Sequence, residues 1–165
     1  MTELRHGVLR NGLITGLIGA TAVALWFLIV DTVSGRPLYT PHVLGAAVFG
    51  VLGPSSGDSA ALLIGAYTVF HYVVFAIIGI VLAALISRGD DDPAVLAGLA
   101  IFVVVFQVGF LGFTALLSEW RPLGSLAWYQ IGAANLVALV LMGAYLYRAY
   151  PRAVGRLGDA LGGRS

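Results

Sequence analysis

The chain has 165 residues, of which 59% are hydrophobic and only 10% are charged, and its net charge is +1. Soluble domains usually carry roughly 25% charged residues, so this composition excludes an ordinary soluble fold, and the small net charge predicts no nucleic-acid partner. Cysteine is absent, which excludes disulfides, thiol nucleophiles and thiolate metal sites. We therefore predict a single membrane domain, residues 1–165, that is all-α and integral to the bilayer.

Four stretches are apolar on all faces and long enough for a transmembrane helix, which needs about 20 residues. They are residues 12–31, 60–86, 94–118 and 126–148. A fifth apolar stretch, 41–52, is too short to cross and predicts a helix that is either interfacial or re-entrant. The fold expected is thus a bundle of four transmembrane helices with this short helix between the first and second, followed by a tail at 151–165.

The distribution of arginine predicts the orientation, because the chain has no lysine. Only Arg36 and Arg121 lie in the two loops that would share the outer side. The other arginines are Arg5, Arg10, Arg88, Arg148, Arg152, Arg156 and Arg164. The positive-inside rule therefore predicts that both termini are cytoplasmic. Because the chain is compact and has no recognisable targeting extension, we expect a prokaryotic inner membrane.

The first span carries a stripe of small residues at four-residue steps, formed by Gly12, Gly16, Ala20 and Ala24. Such a stripe lets two helix backbones approach closely, which is how helices in lipid gain packing energy. The stripe is therefore a predicted helix-packing interface. It serves either the bundle itself or contact with a second subunit, and the sequence does not decide between the two.

Each predicted span also contains one polar residue near the same depth. Counted at about 1.5 Å per residue from the outer ends, Thr21, His71, Gln107 and Asn135 lie slightly outside the midplane. Polar groups in a bilayer are costly unless they are paired, so they are the best candidates for function. We predict that they form one hydrogen-bonded layer, which either holds the helices together or forms the floor of a ligand pocket.

A ligand pocket of this kind would open towards the outer side. Its rim would include Asp31, His42 and Trp120, so that His71, Gln107, Asn135 and these three are the candidate ligand-binding residues. Other residues assigned to the rim are Glu119, Arg121, Trp128, Tyr129 and Gln130. Tryptophan and tyrosine at span ends are also ordinary interfacial anchors.

The sequence predicts no cofactor and no metal site. Haem is an alternative, with His71 as one axial ligand and His42 as the only second histidine near it. The segment from Gly53 to Gly57 matches G-x-S-x-G, which would allow a serine hydrolase using Ser55 or Ser56. That pattern has meaning between a strand and a helix, however, and here it joins two helical segments.

The leading functional hypothesis is a small non-catalytic protein that acts as an accessory or interaction subunit of a larger membrane assembly. Its partners would be the lipid bilayer and either other membrane subunits or a second copy. An alternative is a binder or carrier of an amphipathic small molecule, such as a lipid, a quinone or haem. A third hypothesis is an intramembrane hydrolase.

Overall fold

The computed structural model describes residues 2–52, 59–88 and 128–151, together with residues 94, 95, 98, 101, 103, 105, 107 and 108. These residues form four helices and, within the described part, no strand. The helices are α1 (Thr2–Val33), α2 (Tyr39–Leu52), α3 (Ala60–Arg88) and α4 (Trp128–Ala149). The predicted span 94–118 has helical backbone at its described positions but is not continuously described.

Three of the helices, α1, α3 and α4, are long and apolar enough to cross a membrane. The secondary structure of the described residues is therefore helical, and these three apolar helices indicate a membrane-embedded protein. The first helix begins at Thr2 rather than at residue 12, because hydropathy marks the part of a helix that faces lipid and not the helix end. At 14 residues, or about 21 Å, α2 is too short to span the bilayer.

Glycine allows the backbones of α1 and α3 to approach each other closely. A Cβ atom added at Gly79 would lie 2.8 Å from the Cα atom of Gly16, and one added at Gly12 would lie 2.9 Å from the backbone nitrogen of Ile80. Real Cβ atoms do not come this close to backbone. The first two members of the predicted small-residue stripe therefore pack inside the chain, against α3, and not against a second subunit.

The fourth helix also packs against α1, further along the helix at Val23 and Phe27. Its residues Ala134, Ala138 and Met142 repeat at four-residue steps and are buried against Val23 and Phe27. This spacing places them on one side of the helix. Because α3 and α4 both pack against α1, α1 is the central helix of the described part of the chain.

The turn after α1 depends on two residues with left-handed backbone. Gly35 has a φ angle of 72°, and the amides of Gly35 and Arg36 donate to the carbonyls of Thr32 and Asp31, at 3.0 and 2.9 Å. This is a Schellman motif, in which glycine accepts the left-handed conformation without strain. Leu38 also has a positive φ angle, of 63°, and its carbonyl accepts the first hydrogen bond of α2, from the amide of His42.

The side chain of Asp31 joins the end of α1 to the start of α2. Its carboxylate accepts one hydrogen bond from the backbone amide of Thr40, at 2.7 Å, and another from the Thr40 hydroxyl, at 2.8 Å. Asp31 is only 4% exposed. Since the first amides of a helix have no partner within it, this carboxylate caps α2 and also interacts favourably with its dipole.

We expect Gly79→Ala to lower the free energy of unfolding by about 1–3 kcal/mol, because its methyl group must push the two helices apart. The matched control is Gly65→Ala on the same helix, where an added Cβ meets nothing within 4 Å. Thermal unfolding in detergent should give a lower melting temperature for Gly79→Ala alone. Equal melting temperatures would contradict the α1–α3 contact.

Replacement of Asp31 by alanine should destabilise α2 locally by about 1–2 kcal/mol, since it removes both bonds to Thr40. Hydrogen exchange followed by mass spectrometry should then show faster exchange of the α2 amides. The control is Thr32→Ala, whose exposed hydroxyl bonds only to Leu28 of its own helix, at 2.6 Å. Unchanged exchange in Asp31→Ala would show that the carboxylate does not hold α2.

Candidate functional site

A cavity of about 210 Å³ lies between α1, α2 and α3, and we call it the α2 cavity. Its walls are mainly apolar, with Phe27, Leu28, Pro41 and Ile64 among them. Six side chains with polar atoms also line it. They are Thr21, Thr40, Tyr67, Thr68, His71 and Tyr72. An apolar cavity with a few polar groups is the usual form of a small-molecule site.

His71 is held in the wall of this cavity by a bond to the α1 backbone. Its Nε2 atom lies 3.1 Å from the carbonyl oxygen of Ala20, which has no exposed surface. A carbonyl can only accept, so Nε2 carries the proton and donates it. The small side chain of Ala20 leaves room for this approach, and the third member of the small-residue stripe thus serves His71.

Aromatic rings surround the imidazole of His71. The ring centroids of Tyr67, Tyr72 and Phe75 lie 5.8, 5.8 and 4.7 Å from that of His71. Tyr67, His71 and Phe75 are four residues apart along α3 and therefore share one helix face. These rings pack around the imidazole on the α3 side, while its bond to Ala20 sets its orientation.

Two further polar contacts lie in the same wall. The hydroxyl groups of Thr21 and Tyr72 are 3.2 Å apart and share one hydrogen bond between α1 and α3. The Thr68 hydroxyl donates to the carbonyl of Ile64 one turn earlier, at 2.7 Å. Ala24, the last residue of the predicted stripe, is exposed and lines the cavity instead of packing against a helix.

The predicted layer of four polar residues is divided between two cavities. Thr21 and His71 line the α2 cavity, whereas Gln107 and Asn135 line a second cavity of about 380 Å³, the Gln107 cavity. There the Gln107 amide lies 3.4 Å from the carbonyl oxygen of Gly132. Counting residues along a helix predicts depth, but it does not predict the direction in which a side chain points around the helix axis.

The predicted rim residues have different positions. Asp31 is engaged with Thr40, as described above. His42 is half-buried and is not among the residues that line the α2 cavity, so the structure does not bring it to His71 as a second haem ligand. Trp120 lies outside the described residues, as do Glu119 and Arg121 and the G-x-S-x-G segment 53–57.

Gln130 has a structural contact that the sequence analysis missed. Its side-chain oxygen accepts a hydrogen bond of 3.1 Å from the indole nitrogen of Trp26 and so links α1 to α4. Trp26 lies inside a span and not at its end, and an indole N–H in lipid needs a partner. The missed cavity residues Tyr67 and Tyr72 carry a similar signal, since each places a hydroxyl within a span.

In the part of the chain that the structure describes, no group of three or more His, Asp or Glu side chains could hold a metal ion. Comparison of the chain with protein-family models, with curated proteins and with solved structures finds no match. The arrangement of the cavity residues is therefore the basis for a functional proposal.

Proposed function

We propose that the protein is a non-catalytic membrane protein that binds an amphipathic small molecule in the α2 cavity. The observation that supports this most strongly is the position of His71, whose imidazole is oriented by Ala20 and packed among aromatic rings in an otherwise apolar wall. Polar groups fixed in this way give a ligand its orientation, while the apolar walls accept its hydrocarbon part.

We favour ligand binding over the role of accessory subunit because of how the small-residue stripe is used. One of the grounds for that role was a small-residue stripe available to a partner, but Gly12 and Gly16 pack against α3. Ala20 accommodates His71, and Ala24 lines the cavity. In this interpretation, the whole stripe serves the α1–α3 pair and the site beside it.

The proposed topology has four crossings, with both termini cytoplasmic in a prokaryotic inner membrane. The arginine distribution supports this orientation. Termini on one side require an even number of crossings, and α1, α3 and α4 supply three. The predicted span 94–118 would supply the fourth. The α2 cavity then lies at the outer end of the bundle, with α2 above it.

Native mass spectrometry of the protein extracted gently from its own membrane tests the proposal. The wild-type chain should retain a discrete additional mass. Ala24→Trp, which places an indole in the cavity, should lose that mass. The control Ala144→Trp, at an exposed position of α4, should keep it.

A bare wild-type chain would contradict ligand binding. Additional protein chains at fixed stoichiometry, without a small molecule, would also contradict it and would favour the accessory subunit.

A further inference from the structure

The α2 cavity has an uneven supply of hydrogen-bond donors and acceptors. Three polar groups in its wall already donate their protons to the protein. They are Nε2 of His71, bonded to Ala20, the Thr68 hydroxyl, bonded to Ile64, and the Thr40 hydroxyl, bonded to Asp31. Each acceptor is a carbonyl or carboxylate oxygen, which has no proton, so the direction of all three bonds is fixed.

Because these three protons are already donated to the protein, the same three side chains can only accept a hydrogen bond from a ligand. A neutral imidazole that carries its proton on Nε2 has a lone pair on Nδ1 and can only accept there. The hydroxyl oxygens of Thr68 and Thr40 likewise keep lone pairs. Among the described lining side chains, the remaining donors are the Tyr67 hydroxyl and one hydroxyl of the Thr21–Tyr72 pair, since the other uses its proton for the shared bond.

The cavity is also free of formal charge. None of its described lining residues is Asp, Glu, Lys or Arg. Among the described residues, the groups around the imidazole of His71 are Ala20 and the rings of Tyr67, Tyr72 and Phe75, none of which carries a formal charge. A charged ligand would be buried here without a partner, at a high cost in free energy.

We infer that the ligand of the α2 cavity is an uncharged lipid with a free hydroxyl group, which donates a hydrogen bond to Nδ1 of His71. This inference rests on the proposed function and makes its ligand class specific. Among the classes considered above, a quinone carries only acceptors and haem carries charged propionates. A quinone would leave the acceptor Nδ1 of His71 without a donor, and haem would bring its charged propionates against an uncharged wall.

The test uses two lipids that differ at one oxygen, which carries a proton in the first and a methyl group in the second. Dioctanoylglycerol has a free hydroxyl, and its O-methyl ether has the same chains but can only accept. Because the two differ in mass, both can compete for detergent-solubilised full-length protein in one native mass-spectrometric titration. We expect the wild type to bind dioctanoylglycerol about tenfold more tightly, which is the effect of one satisfied buried hydrogen bond.

Two variants assign this preference to His71. His71→Phe keeps an aromatic ring but removes the acceptor, so it should bind both lipids with similar affinity. Tyr147→Phe, at an exposed position of α4 that does not line the α2 cavity, should keep the preference of the wild type. A preference that persists in His71→Phe would overturn the role of Nδ1.

The competition experiment on the wild type remains informative even if His71→Phe does not fold. Equal binding of the two lipids by the wild type would overturn the inference while leaving ligand binding in place. If neither lipid binds and the native protein also carries no additional mass, then the proposed function itself fails.

Discussion

The arrangement of the helices depends on the contact between α1 and α3 at Gly12, Gly16 and Gly79. Within a bilayer the hydrophobic effect does not drive helices together, because lipid chains are as apolar as leucine, so helices associate through close packing and hydrogen bonds. Glycine permits backbone to meet backbone here. The contact lies towards the end of α3, and further along α1 the two helices are joined by the bond from His71 to the Ala20 carbonyl and by the Thr21–Tyr72 bond. At the level of Ala24 the α2 cavity lies between them.

The same absence of water explains why the polar groups of the cavity bond to the protein. A hydroxyl or imidazole proton in a bilayer has no solvent partner, so it is satisfied by a backbone carbonyl, as for Thr68 and His71, or by a carboxylate, as for Thr40. A side chain whose proton is bonded to the protein in this way has only lone pairs left to offer a ligand. Under the proposed function, a cavity built from such groups selects ligands by what they donate, even though its walls are mostly apolar.

The sequence was sufficient to predict the helices but not their neighbours. Apolar length predicted α2, α3 and α4 to within a few residues, and at the start of α3 the Ser59 hydroxyl accepts a hydrogen bond from the amide of Leu62. The stripe of small residues was also recognisable. That its partner is α3 was not, because close packing depends on which helix presents a matching glycine, and several helices carry small residues.

Leu38 shows most clearly what a sequence pattern cannot reveal. A left-handed conformation costs a non-glycine residue about 1–2 kcal/mol, and no pattern of hydropathy predicts it here. Strained backbone persists only where its surroundings enforce it. At Leu38 the enforcing contacts are the Schellman motif before it and the Asp31–Thr40 bonds after it. The turn places both Leu38 and Thr40 in the wall of the α2 cavity, so the strained backbone at Leu38 helps to position α2 over the cavity.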